Sequence, residues 1–194
     1  DASLQAYSSR ASELWSIAYG TIKNANGVIY QYQKMENAGE VFSTEDLAAY
    51  AQALTMRGYY YFQMMYLFST AMADESPNQR YGGAGGNDFR LIPYYDGSDA
   101  QINQETGFIA EQDLSTYGFI HEAITADLTK AIALFDSVNY VRPLKLYFDG
   151  DVARGILAYN LLHSRNPETQ LNDYKLAYKY AKEVIDRGNY VMLP

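Results

Sequence analysis

No cysteine occurs among the 194 residues. That excludes disulfides, thiolate metal sites and cysteine nucleophiles. Histidine is nearly as scarce. His121 and His163 are the only two, and neither has a partner at metal-ligand spacing such as His-Glu-x-x-His. Both read as packing or surface residues, and no metal or cofactor is called for. No run reaches the roughly 18 apolar residues of a membrane-spanning helix, and no signal peptide is visible. Positive charge is short too: 15 Lys and Arg face 23 Asp and Glu, for a net charge of −8. Without a basic run, a phosphate-tracking surface is excluded, and nucleic acid with it.

What the chain has in excess is tyrosine, 20 residues against 8 Phe and one Trp. Tyrosine has an apolar body and a polar tip. It suits helix seams, wet interfaces and carbohydrate surfaces alike, with seam packing the first expectation for any single one.

Residues 45–68 are the centre of the pattern. Leu47, Tyr50, Ala51, Leu54, Gly58, Tyr61, Phe62, Met65 and Phe68 recur at helical steps, and Ala53, Met56, Tyr60, Met64 and Leu67 form a second apolar line. A helix apolar around most of its circumference needs neighbours on two sides. Ser43 or Thr44 is its expected cap. Arg57 sits among these apolar residues and requires a partner. Asp127 and Glu122, on a later helix, are the candidates for a structural ion pair.

Before it, residues 3–37 form a helix whose inner stripe is Leu14, Trp15, Ala18, Tyr19, Ile22, Ala25, Asn26 and Ile29. Trp15 reads as core, and Asn26 as a hydrogen-bonded tie to a neighbouring loop or helix. Gly39 ends the helix. After the central helix, residues 70–113 break the pattern with Pro77, Gly82-Gly83, Gly85-Gly86, Pro93 and Gly97. An irregular stretch of this length tends to be functional or mobile. Its glycines lack the Lys-Ser/Thr of a phosphate loop. Counted from Asp96, the sixth and twelfth positions hold Gln101 and Gly107, which fails the calcium-loop pattern. Residues 91–96 are apolar and aromatic and should lie back on the helices.

Three more helices are expected, over 115–137, 152–163 and 174–187. Asp151 is read as the cap of the second, and Asn172 or Asp173 as that of the third. The third should turn Ala177, Tyr178, Ala181, Val184 and Ile185 inward. Gly188 stops it. Residues 144–148 and 190–193 read as extended. Helix pairs of about 35 residues fall in the range of helical repeats. The predicted fold is therefore all-α, a tetratricopeptide-like α-solenoid with one long irregular insertion. Residues 1–194 form one such region, with the insertion at about 70–113. A chain that starts mid-pair, without Met, is expected to be a fragment of a longer protein.

Several ordered features resemble the SusD/RagB family. They are Trp15-x-x-Ala-Tyr19-x-x-Ile22 with Ala25-Asn26-x-Val28-Ile29, then Arg57-Gly58-Tyr59-Tyr60-x-Phe62, then Ile92-Pro93. Ile124-x-x-Asp127-Leu128-x-x-Ala131, residues 153–162 and Ala177-x-x-x-Ala181-x-x-Val184-Ile185-x-x-Gly188-x-Tyr190 complete the series. The chain departs in its delayed Ile92-Pro93 turn and in Tyr159, which stands where the family often has Arg. The resemblance implies a non-catalytic, surface-exposed outer-membrane lipoprotein. It would bind a glycan or other nutrient and deliver oligosaccharide to a TonB-dependent SusC-like transporter. Contact with the membrane would run only through a lipid anchor absent from this chain. It also implies that the main ligand contacts lie outside this chain, which would act as scaffold and transporter-facing surface. Tyr81, Tyr94 and Tyr95, in the insertion, are the candidate ligand contacts here. The alternative is a helical-repeat adaptor for a protein or peptide partner. No carboxylate pair stands in a catalytic setting, so no catalytic residue is assigned.

Overall fold

The computed structural model describes residues 2–71, 90–101 and 109–189. Five helices dominate: α1 (Ala2–Asn37), α2 (Thr44–Ala71), α3 (Tyr117–Ser137), α4 (Gly150–Leu162) and α5 (Gln170–Arg187). Each packs against the next in sequence. The described part is thus the expected all-α, repeat-like stack. Among the described residues no helix is long and apolar enough to cross a membrane. Residues 190–193, expected to be extended, lie outside the described residues.

α1 buries Ala18, Ile22, Ala25 and Ile29, which are spaced three and four apart and so share one face. It ends where Gly39 takes φ +74 and the Glu40 amide reaches back to the Met35 carbonyl. α2 begins with a reciprocal cap. Ser43 Oγ accepts from the Asp46 amide at 3.1 Å, and the Asp46 carboxylate accepts from the Ser43 amide at 3.2 Å. α2 lies between α1 and α3, as its two apolar lines require. At Gly58 it passes close to α3: a Cβ there would meet Leu128 Cγ at 3.1 Å.

Two short strands accompany the helices among the described residues. β1 (Arg90–Pro93) pairs antiparallel with β2 (Leu114–Thr116), opposing Ile92 to Ser115 and Pro93 to Leu114. Leu91 and Ile92 are buried, so this apolar segment does lie back on the helices. β2 runs directly into α3, which therefore starts at Tyr117, with Thr116 as N-cap accepting from the Phe119 amide.

Residues 144–148 are a turn and not a strand; the Tyr147 amide bonds the Leu144 carbonyl at 3.1 Å. Extended backbone needs a partner edge, and here a side chain supplies it. Gln52 of α2 takes both backbone groups of Phe148, with Oε1 accepting from its amide and Nε2 donating to its carbonyl. The cap of α4 is Asp149, whose Oδ1 accepts from the Val152 amide at 2.8 Å. Asp151 is instead buried in the first turn, accepting from Asn189 Nδ2.

α5 also differs. It starts at Gln170, and Asp173 accepts hydrogen bonds from the hydroxyls of Ser164 and Thr169 in place of capping the helix. Ala177 is buried, but Tyr178 and Ile185 are 70% and 76% exposed and Ala181 is exposed as well. The helix docks on α4 through the side that carries Ala177, Tyr180 and Glu183. There Arg154 of α4 forms an ion pair with Glu183 at 3.0 Å.

His121 joins α3 to α4. Its Nε2 lies 3.0 Å from the Asn160 carbonyl, and Asn160 Nδ2 returns bonds to His121 O and Thr125 Oγ1. Burial holds the imidazole below its ordinary pKa. The folded state therefore binds fewer protons than the unfolded chain just below about pH 6.5, and stability falls as the pH drops through that value. We expect the urea midpoint to fall between about pH 7 and about pH 5. In His121→Gln, which keeps a donor toward Asn160, the drop should be smaller. An equal drop in both proteins would remove His121 as its source.

Candidate functional site

The site is built outward from a buried ion pair. Arg57 of α2 is 5% exposed and Asp127 of α3 is 7% exposed. Two parallel bonds of 2.7 Å join them, Nε to Oδ2 and Nη2 to Oδ1. Such a fork is the geometry of a protonated guanidinium on an ionised carboxylate. Burial opposes the charge on Arg57, and Asp127 more than offsets it, so the Arg57 pKa is raised. Burial likewise pushes the Asp127 carboxyl up while Arg57 pulls it back. Glu122, the other candidate partner, is exposed.

The remaining donor of Arg57 organises a loop. Nη1 donates to Asn26 Oδ1 at 3.0 Å and to the Asp96 carbonyl at 3.3 Å. Asn26 Nδ2 passes the link to the Tyr95 carbonyl at 2.8 Å. The Tyr61 hydroxyl donates to the same carbonyl and accepts from the Tyr95 amide at 2.7 Å. Gln101 closes the loop, accepting from the amides of Asp96 and Gly97 and donating to the Tyr94 carbonyl. Residues 94–101 carry almost no regular structure, yet their backbone polar groups are held by the buried Arg57, Asn26 and Tyr61 and the half-buried Gln101. That fixes Tyr95 in place, which lowers the ordering cost of any contact it makes.

Tyr95 forms one side of a groove of about 740 Å³, lined by Trp15, Tyr19, Lys23, Glu111 and Gln112 among others. The Trp15 and Tyr19 rings lie 4.8 Å apart at 39°, and Tyr95 meets Tyr19 edge-on at 5.7 Å. Phe68 of α2 braces Trp15 from 5.1 Å in a T-shaped contact. The Tyr19 hydroxyl donates to the Pro93 carbonyl, and burial raises its pKa well above the ordinary value. Its ring is thereby pinned. The volume is within the range of small-ligand sites. The rim carries one positive and one negative side chain, Lys23 and Glu111, and amide groups from Gln112. Ring faces with neutral hydrogen-bonding groups suit an uncharged, hydroxyl-rich ring. Among the described residues no group of His, Asp or Glu could hold a metal ion.

The three tyrosines singled out in the sequence fare differently. Tyr81 lies outside the described residues, as do Gly82–Gly86. Tyr94 is a packing residue, stacked on Tyr61 at 4.7 Å with Phe119 against it edge-on at 5.2 Å. Burial pushes its hydroxyl up to about 12. Of the two that are described, Tyr95 reaches the groove. Trp15 and Tyr19, which read as core from their spacing, are only partly buried. Their only sequence signal was the i, i+4 pair of large aromatics, which helix packing produces as well.

A family model for SusD-like proteins, described as starch-binding and associating with the outer membrane, matches residues 2–154. This chain belongs to the SusD-like family. Among solved structures, a SusD-like carbohydrate-binding protein from Bacteroides vulgatus shares 23% identity at a TM-score of 0.63, over 92% of this chain and 32% of that one. A SusD superfamily protein from Bacteroides thetaiotaomicron shares 21% at 0.61, over 92% and 33%. A third structure, described as being with xylogluco-oligosaccharide, shares 19% at 0.64, over 94% and 30%. The SusD-like chain thus spans about a third of the length of these proteins. No curated protein matches it. At these identities the structural likeness establishes the helical-repeat fold of the SusD-like chain; its family is described by binding and not by catalysis.

Proposed function

We propose that this chain is a single helical-repeat region, with its insertion at about 70–113, of a longer glycan-binding protein at the outer-membrane surface. That protein hands oligosaccharide to a TonB-dependent SusC-like transporter and is held to the membrane by a lipid anchor outside this chain. The family description and the xylogluco-oligosaccharide relative support the ligand class. The observation that carries the reading on this chain is the groove of Trp15, Tyr19 and Tyr95. Flat, apolar sugar-ring faces present weakly positive C–H groups, which suit the negative face of an aromatic ring.

Calorimetry with malto- and xylogluco-oligosaccharides tests it. Trp15→Ala and Tyr95→Ala should each weaken binding by tenfold or more, about 1.4 kcal/mol. The full-length protein should bind more tightly than residues 1–194, because the scaffold supplies only part of the contact surface. Retention of full affinity in both variants would remove the groove. Equal affinity of the two chains would place the whole site on residues 1–194.

A further inference from the structure

α2 presents aromatic residues on a second side. Phe68, which braces Trp15, and Tyr66 are two residues apart, so they point to opposite sides of the helix. Tyr66 faces α4. There Tyr159, 47% exposed, lies at the centre of a cluster: Phe62 at 5.2 Å beneath it, His163 edge-on at 4.7 Å, and Tyr66, 40% exposed, at 6.5 Å and 39°. Packing does not require Tyr159 to stand here, because the seam below is already filled by Phe62, which is 4% exposed.

The cluster is held rigidly. The His163 carbonyl accepts from the Tyr117 hydroxyl at 2.7 Å, fixing the end of α4 on α3. His163 Nδ1 lies 2.8 Å from the Tyr159 carbonyl. A carbonyl only accepts, so Nδ1 donates, and in the neutral ring Nε2 is the acceptor. One turn before Tyr159, a Cβ placed on Gly155 would meet nothing within 4 Å. None of the cluster's rings carries a fixed charge.

We infer that Tyr66, Tyr159 and His163 form a second sugar-stacking platform, on the opposite side of α2 from the Trp15 groove. The occupant is a neutral sugar ring, lying on the tilted tyrosines with a hydroxyl donated to His163 Nε2. A ring acceptor beside two aromatic faces matches a polyhydroxylated ring better than an aliphatic side chain. The inference rests on the reading that this protein meets glycans. Two platforms on opposite sides of α2 would let a polymer be held at two points, where linkage raises avidity by about 10²–10⁴.

The test uses two separate reporters on residues 1–194. Trp15 is the only tryptophan, so its fluorescence reads the groove. Ring resonances of ¹³C-labelled tyrosine, assigned for Tyr66 and Tyr159, read the platform. With xylogluco- or malto-oligosaccharide, the Tyr159 and Tyr66 signals should shift. Tyr159→Ala should abolish those shifts and weaken retention on the matching polysaccharide tenfold or more, with the Trp15 response intact. Tyr159→Phe, which keeps the ring, should behave as the parent. A Trp15 response with silent Tyr159 overturns the platform and leaves the groove standing. A Tyr159 shift with silent Trp15 supports the platform and removes the groove. Silence at both, across both sugars, overturns both.

Discussion

Asp127→Ala is expected to lower the unfolding free energy by about 3–5 kcal/mol, the range for breaking a buried ion pair from one side. The reason is the guanidinium left behind. Arg57 is 5% exposed, and its Nε and Nη2 would lose both acceptors with no water to replace them. Asp127→Asn keeps one acceptor and should cost less. The double change Arg57→Met with Asp127→Leu removes both charges, so much of the stability should return. The loop should not recover with it. Arg57 Nη1 also holds Asn26 and the Asp96 carbonyl, and those bonds position Tyr95. Urea denaturation followed by circular dichroism gives the stabilities, and Trp15 fluorescence titration gives the groove. If Asp127→Ala loses less than about 1 kcal/mol, the pair behaves as a solvated one and is not the anchor of the site. If the double variant binds sugar as the parent does, the loop holds itself.

The second large effect is at Gly97. It sits at φ +78, and a Cβ there would lie 2.7 Å from Asn26 Cβ and 3.4 Å from the Asn26 carbonyl carbon. Asn26 belongs to a buried face of α1 and has no room to retreat. Gly97→Ala should therefore combine about 1–3 kcal/mol of backbone strain with about 1–3 kcal/mol of overpacking. Gly39→Ala separates the two. Gly39 has φ +74 but nothing within 4 Å of a Cβ, so only the backbone part applies. We expect Gly97→Ala to cost about twice as much and to weaken sugar binding, and Gly39→Ala to leave binding unchanged. Equal losses at the two sites would mean that the loop shifts to accommodate the methyl group, and Asn26 would then not fix its position.

The sequence by itself determined the helical order of the chain. Helices α1, α2 and α3 were legible because burial leaves a three-and-four-residue record: Ile22, Ala25 and Ile29 in one, Leu54, Tyr61 and Met65 in the next. The need of Arg57 for a carboxylate was legible too, since an isolated charge in an apolar face has no stable alternative. The sequence also placed Tyr95 in the irregular segment between helices, where sites tend to form.

Only the tertiary structure decided the rest. Asp149 and Asp151 are chemically the same, and which one caps α4 depends on Asn189 reaching Asp151 from beyond α5. The rotation of α5, which turns Tyr178 and Ile185 outward, follows from what α4 offers Ala177, Tyr180 and Glu183. The Phe148 backbone is satisfied by Gln52, far away on α2. The groove itself joins Trp15 and Tyr19 on α1 to Tyr95 on a distant loop. Local periodicity reports which side of a helix is apolar. It carries no term for what lies opposite, so Trp15 reads as core until the loop held by Arg57 is seen to leave its ring at the edge of a cavity.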